Sequence, residues 1–219
     1  MITYEEIKNN QEVRTYIQQA DETLKALGFT EHAFAHVEKV ATRAGWLLES
    51  LGYSHHEVSL VKIAAYLHDI GNLVNRIEHS QTGGIMAFSI LRDLGMEPKD
   101  LAQVVSAIGN HDEGTGVPVN PIAAALILAD KSDVRRSRVR NQDGTAFDIH
   151  DRVNYSVERD DLILSEDGTI LTLLLTIDTQ YGSVMDYFEI FLDRMILCRK
   201  AAEVLGMQFK LIMNGQSVL

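Results

Sequence analysis

Apolar residues recur at helical spacing over much of the first 140 residues of this chain. Over residues 34–51 they are spaced three and four apart, as on the buried face of one helix. Gly52 follows and predicts the end of that helix. Residues 3–6 and 54–57 have the Thr/Ser-x-x-Glu spacing of a capping box, so each predicts a helix start. The beginning of the chain is therefore predicted to be helical.

The same reasoning predicts four more helices, over residues 57–69, 79–94, 98–109 and 121–134. Pro98 and Pro121 suit the first turn of the last two, and Gly95 ends the one before them. Two glycines and a proline in residues 113–119 indicate a loop between those last two helices.

The pattern changes near residue 140, where residues 141–144 (Asn-Gln-Asp-Gly) indicate a turn. Residues 153–157 and 170–177 predict strands around a turn at 166–168, and a long amphipathic helix and a last strand follow. We therefore predict a mainly α chain, with a helical domain at residues 1–145 and a small C-terminal α+β unit of β-β-α-β order at residues 146–219. We expect the C-terminal unit to support the fold or a homodimer.

Composition narrows the functional classes. The net charge of −11 argues against general binding to nucleic acids or anionic membranes. Cys198 is the single cysteine, so an internal disulfide is excluded. Residues 1–6 lack a basic stretch followed by an apolar one, and the apolar run at 122–129 is too short to span a bilayer. We expect a cytoplasmic protein without a membrane segment.

Candidate metal ligands stand at the ends of apolar stripes. His36 lies on the apolar face of its predicted helix, the pair His68-Asp69 follows an apolar run, and Asp130 ends another. A carboxylate beside a core stripe is costly unless it is paired or bound to a metal. Imidazoles and carboxylates are also preferred donors for divalent transition metals. His32, four residues before His36, either shares this face or points to solvent.

The order H…HD…H…H…D, completed by His79 and His111, resembles the HD domain superfamily of metal-dependent phosphohydrolases. This resemblance implies a helical bundle with a divalent metal centre, and the two additional histidines imply two ions. Mn, Fe, Co, Ni and Zn all suit such donors. The implied ligands are His36, His68, Asp69 and Asp130 for the first metal, and Asp69, as the bridge, with His79 and His111 for the second.

Many members of this superfamily carry a phosphate-binding lysine a few residues after the HD pair, where this chain has Asn72. Five cations and one anion in residues 131–140 are an alternative. They form either a phosphate site or a solvated helix end. The candidate substrate-binding residues are Asn72, Lys131, Arg135 and Arg138. Asp133, three residues after Asp130, is a candidate catalytic residue with Asp69, to order a water or to orient a ligand.

The resemblance implies hydrolysis of a small phosphorylated molecule, such as a nucleotide, by a metal-activated hydroxide. Two other functions remain open at this point. A diiron oxygenase of the HD type would use the same donors for iron, and a non-catalytic ligand-sensing protein would use the helical domain for binding and the C-terminal unit for assembly.

Overall fold

The structure, a computed structural model, describes residues 2–140 and 147–219. Its helices are α1 (Tyr4–Asn9), α2 (Gln11–Ala26), α3 (Phe34–Ser50), α4 (His55–Leu67), α5 (His79–Asp93), α6 (Pro98–Gly109), α7 (Pro121–Lys131), α8 (Ile149–Ser156) and α9 (Val184–Val204). Short 3₁₀ turns lie at Ile70–Leu73 and Arg136–Arg138. The strands are β1 (Val157–Leu164), β2 (Ile170–Ile177), β3 (Gln208–Met213) and β4 (Gln216–Ser217).

Local sequence signals place the predicted helix starts. The side chains of Thr3 and Ser54 each accept a hydrogen bond from the backbone N–H three residues later, and a glutamate returns the bond in both cases. Asn10 ends α1 and caps α2, because its side chain accepts from a backbone N–H of the next helix. Pro98 and Pro121 occupy the first turns of α6 and α7.

Helix α7 lies at the centre of the molecule. It packs against α3, α4, α6 and α9. Residues 122–129 of α7 are all buried, which agrees with their apolar character on every side. Around this centre, α3 packs on α4, while α5 packs on α6 and on the first 3₁₀ turn.

The C-terminal sheet has the order β1-β2-β3-β4. Strands β1 and β2 are antiparallel, β2 and β3 are parallel, and β3 and β4 are antiparallel. Helix α9 makes the crossover from β2 to β3, as a parallel pair requires. Because α9 also packs on α7, the apolar core continues from the helical region into the sheet. The prediction of a mainly helical fold with a small C-terminal α+β unit is confirmed.

Two local predictions are wrong. Helix α7 ends at Lys131 and not near residue 134. Residues 153–156 belong to helix α8 and not to a strand, because Asp148 caps this helix by accepting from the Asp151 N–H. Strand β1 therefore begins at Val157. The short β4 was not predicted. The predicted turn at 141–144 and the domain boundary after residue 145 lie outside the described residues.

Within residues 2–140 and 147–219, none of the helices combines the length and the apolar character that crossing a membrane requires.

Candidate metal centre

The six predicted metal ligands lie together, although they come from distant parts of the chain. Two stand on helices α3 and α7, one begins α5, and the others follow the ends of α4 and α6. Their side chains are buried or nearly so. They are His36, His68, Asp69, His79, His111 and Asp130.

Four of these side chains form what we call the first donor group. The Nε2 atom of His36 lies 3.3 Å from Nε2 of His68, 3.3 Å from Oδ1 of Asp130 and 3.6 Å from Oδ2 of Asp69. The Nε2 atom of His68 lies 3.2 Å from Oδ2 of Asp69 and 3.6 Å from Oδ1 of Asp130. Two imidazole nitrogens and two carboxylate oxygens therefore face one point.

The second donor group uses the other oxygen of Asp69. The Nε2 atoms of His79 and His111 are 3.2 Å apart. They lie 3.5 Å and 3.9 Å, respectively, from Oδ1 of Asp69. Asp69 thus presents one carboxylate oxygen to each donor group, which is the arrangement of a bridging ligand.

These separations fit metal coordination. Ligand bonds of about 2.0–2.2 Å place neighbouring donor atoms roughly 3.0–3.6 Å apart in tetrahedral or octahedral geometry. Most donor distances in both groups fall in this range. Two sets of these donors, His36, His68, Asp130 and His68, Asp69, His111, lie close enough together to hold a metal ion, and the second set takes one histidine from each donor group. Imidazole with carboxylate suits divalent transition metals, so the residues present fit a divalent metal centre.

Three of the four histidines are oriented by nearby backbone carbonyls. The Nδ1 atoms of His68, His79 and His111 lie 2.7, 3.1 and 2.7 Å from the carbonyl oxygen three residues earlier. A carbonyl oxygen only accepts hydrogen bonds, so each Nδ1 must carry the proton. Nε2 is then the nitrogen that each ring presents to the donor groups, with its lone pair available to a metal whenever the ring is neutral.

His36 is oriented by a residue from a distant segment. Its Nδ1 lies 2.7 Å from Oδ2 of Asp133, whose side chain is fully buried. The other oxygen of Asp133 accepts from Lys39 and Arg135, at 2.9 Å each. Burial by itself raises the pKa of Asp133, but its hydrogen bond to His36 and the charge of Arg138 hold it well below the usual range. The predicted catalytic residue Asp133 therefore stands behind a ligand, as an orienting carboxylate.

Opposite charges determine the protonation of the centre. Burial raises the pKa of Asp69 and of Asp130, but the charges of His68 and Lys131, respectively, outweigh it and hold each pKa well below its usual range. Burial lowers the pKa of His68, but the two carboxylates raise it to about 10. Burial lowers the pKa of His111 well below its ordinary value, so this ring is neutral. A metal bound at His68 must therefore displace a proton.

Two of the four predicted substrate-binding residues support metal ligands. The buried side-chain amide of Asn72 donates to the backbone oxygen and to Oδ1 of Asp69, at 2.9 and 3.1 Å. The buried ammonium of Lys131 lies 2.8 Å from Oδ2 of Asp130 and 2.7 Å from Oε2 of Glu113. Both side chains are thus committed to contacts that hold carboxylates of the centre.

Arg135 and Arg138 surround Asp133. Arg135 donates through Nε to the Asp133 carboxylate at 2.9 Å. Arg138 donates to the backbone oxygens of Glu31 and Asp133, at 2.9 and 2.8 Å. Since α7 ends before them and protein acceptors bind them, they are not a solvated helix end. Their role in substrate binding stays a prediction.

The structure also brings residues to the site that the sequence did not indicate. Arg76 places NH1 3.3 Å from Nε2 of the ligand His79. Arg194, on α9, donates through Nε to Glu113 at 2.7 Å, and Glu113 in turn pairs with Lys131. The sequence could have indicated Arg76, because it stands three residues before a candidate ligand. No sequence signal indicates Arg194, which lies within an amphipathic helix far along the chain.

His32 stands next to the centre without belonging to either donor group. Its ring centroid lies 5.6 Å from that of His36, in an edge-to-face arrangement. Its Nδ1 lies 2.7 Å from the backbone oxygen of Thr30, so this nitrogen carries the proton. Burial lowers the pKa of His32 well below its ordinary value.

A bundle of helices that directs four imidazoles and two carboxylates at two adjacent points defines a metal-binding helical domain. Comparison with known proteins supports this description. Residues 33–137 match the family model described as HD domain, which supports the resemblance of this chain to the HD domain superfamily. The match includes all six candidate ligands and Asp133.

Two similar proteins cover a larger part of the chain. The uncharacterised protein MJ1020 of Methanocaldococcus jannaschii is 29% identical over 180 residues, which cover 71% of this chain and 69% of that protein. A crystal structure of a predicted HD superfamily hydrolase from an uncultured Thermotogales bacterium is 22% identical. It covers 57% of this chain and 68% of its own, with a TM-score of 0.45.

Proposed function

We propose that this protein is a metal-dependent phosphohydrolase that cleaves a small phosphorylated substrate. The observation that carries the proposal is the position of Asp69, whose two oxygens face two separate groups of histidine and aspartate donors. The match of residues 33–137 to the HD domain model supports the same conclusion. Burying a carboxylate in a helix core is unfavourable without compensation, so the helix core alone gives no reason for a carboxylate shared between two donor groups.

In this proposal each of these residues has a definite role. His36, His68, Asp69 and Asp130 would hold one metal ion, and Asp69, His79 and His111 the other. When bound, such a pair lowers the pKa of a water molecule and neutralises charge on a phosphoryl group. Mn, Fe, Co, Ni and Zn are all compatible with the donors.

Neighbouring side chains keep the ligands in position. Asp133 fixes the ring of His36, and Asn72 fixes the carboxylate of Asp69. Lys131 balances the charge of Asp130. Because these contacts are buried, the ligand geometry is set by the fold before a substrate arrives.

Metal-dependent hydrolysis can be tested directly. Protein stripped with a chelator and reloaded with each metal in turn should release phosphate from a chromogenic phosphoester or from a panel of nucleotides and sugar phosphates. Asp69→Ala should lose both metal and activity. Asp193→Ala, which removes an exposed carboxylate of α9, should keep both.

Fully metallated protein that hydrolyses no phosphoester with any of these metals would contradict the proposal. Oxygen consumption by the iron-loaded form would then favour an oxygenase. A protein that binds ligands without any turnover would favour a sensor.

A further inference from the structure

A cavity of about 180 Å³ lies between the HD domain and the C-terminal unit. Its wall on the N-terminal side includes Phe29 and His32, which directly precede the HD match, and Arg76 within it. Helices α8 and α9 provide the facing wall, which includes Asp151 and Arg194. The C-terminal unit is therefore part of this enclosure, although it contributes no metal ligand among the described residues.

The cavity adjoins both donor groups of the metal centre. The ring of His32, in its wall, packs against the ring of His36 from the first group. Arg76, also in its wall, approaches Nε2 of His79 from the second group. A molecule in this cavity would thus lie beside the two ligand sets.

Two guanidinium groups in the wall have hydrogen-bonding capacity to spare. Arg194 donates through Nε to Glu113 and packs over the ring of Phe191, with 4.3 Å from its Cζ to the ring centroid. Within residues 2–140 and 147–219, its two terminal nitrogens have no hydrogen-bond partner. Among the described residues Arg76 makes two hydrogen bonds, at 3.4 and 3.3 Å and both through NH1, and its Cζ lies 5.7 Å from the centroid of the Phe29 ring. Such planar forks match the oxygens of a phosphate group.

Arg138, the third arginine in the wall, differs from these two. Its Nε and NH1 donate to the backbone oxygens of Glu31 and Asp133, and NH1 also lies 3.7 Å from Oδ2 of Asp133, so contacts within the protein fix its orientation. It contributes positive charge to the cavity.

Size and charge restrict what the cavity accepts. Its volume is below the roughly 300 Å³ at which typical small-molecule pockets begin, so it favours a compact molecule. Helix α8 and its cap bring Asp148 and Asp151 into the wall. These carboxylates repel a second phosphate but accept hydrogen bonds from hydroxyl or amino groups.

Building on the proposed function, we propose that this cavity is the substrate site and that it selects a compact phosphomonoester. Arg76 and Arg194 hold the phosphate group, and the carboxylates of the α8 wall face hydroxyl or amino groups of the remainder. The C-terminal unit thereby supplies a specificity-determining residue, Arg194, to the metal centre of the HD domain.

Inorganic phosphate is a suitable probe, because its binding can be measured without turnover. Calorimetric titration of the metal-loaded protein should show phosphate affinity at least about tenfold weaker in Arg194→Gln and in Arg76→Gln than in the unchanged protein, as expected for a lost hydrogen bond to a charged group. Arg194→Lys should recover part of the loss. Arg199→Gln, an exposed arginine of the same helix, is the matched control and should bind phosphate normally.

Metal content, measured on each variant, should stay at the level of the unchanged protein. For any phosphomonoester that is hydrolysed, Arg194→Gln should raise KM more than it lowers kcat. Compact sugar monophosphates should have a higher kcat/KM than dinucleoside tetraphosphates. A preference for the tetraphosphates would overturn the assignment of a compact substrate.

The outcomes separate this inference from the proposed function. If phosphate binding depends on the arginines but no ester is hydrolysed, the phosphate site is supported and the proposed hydrolase activity is contradicted. If esters are hydrolysed but both Arg76→Gln and Arg194→Gln bind phosphate within twofold of the unchanged protein, the hydrolase activity is supported and the phosphate site is overturned.

Discussion

Replacing Asp133 with asparagine should weaken the first metal site selectively. The substitution keeps the shape of a fully buried side chain but removes the charge that faces Nδ1 of His36 at 2.7 Å. Loss of such an orienting carboxylate lowers metal affinity by about 10- to 100-fold, or about 1.4–2.7 kcal/mol. The second site should change by less than about threefold, because backbone carbonyls orient His79 and His111 independently of Asp133.

Competition between the protein and a chelator for Co²⁺ or Mn²⁺ provides the assay. The first site can be isolated by repeating the titration in a His79→Ala background, which lacks a ligand of the second site. Asp193→Asn, on the exposed face of α9, controls for the loss of one negative charge. An unchanged first-site affinity in Asp133→Asn, or an equal loss at both sites, would refute this account of the orienting bond.

Three further predictions concern the centre. Asp69→Ala should remove both metals, whereas His79→Ala should weaken mainly the second; elemental analysis that finds normal metal content in Asp69→Ala would contradict the bridging role. Because the pKa of metal-free His68 is raised to about 10, metal binding must displace the proton of this ring. The affinity for metal should therefore rise with pH between about 6 and 9, and calorimetry should detect proton release, whereas a pH-independent metal affinity would contradict the displacement. Gly71→Ala should reduce the free energy of unfolding by about 1–3 kcal/mol, because a Cβ at this position would overlap the backbone oxygen of His79. In the control Gly84→Ala the nearest atom to the new Cβ would be 3.5 Å away, so this variant should unfold at a similar denaturant concentration to the unchanged protein.

The resemblance of the ligand order to the HD domain superfamily was enough to predict which six side chains meet. For four of them the apolar pattern points the same way, because buried polar residues at the ends of apolar stripes are rare. His68 and Asp69 illustrate this, since they follow directly on the buried last turn of α4. Helix boundaries marked by capping residues or prolines were predicted for the same reason, because the signals are local.

Features that depend on contacts between distant segments escaped the sequence. The sequence shows five cations in residues 131–140, but local charge cannot show that Lys131 binds Glu113 or that Arg138 binds the backbone at Glu31. Arg194 reaches the site only because α9 packs on α7. The helical state of residues 153–156 depends on the side chain of Asp148, which caps α8, and the strand-like pattern of residues 153–157 does not reveal this cap.

The two kinds of histidine orientation imply different sensitivities to local unfolding. His79 is held by the carbonyl of Arg76, just before α5, and His111 by the carbonyl of Ile108 in α6. The second donor group therefore keeps its orientation as long as these local segments stay intact. His36 depends on Asp133, which follows α7 and is ninety-seven residues away in sequence. Transient opening of the segment after α7 would release the ring of His36 while leaving His79 and His111 in position. Metal exchange should accordingly be faster at the first site than at the second, and amide hydrogen exchange in the segment after α7 should follow the same rate.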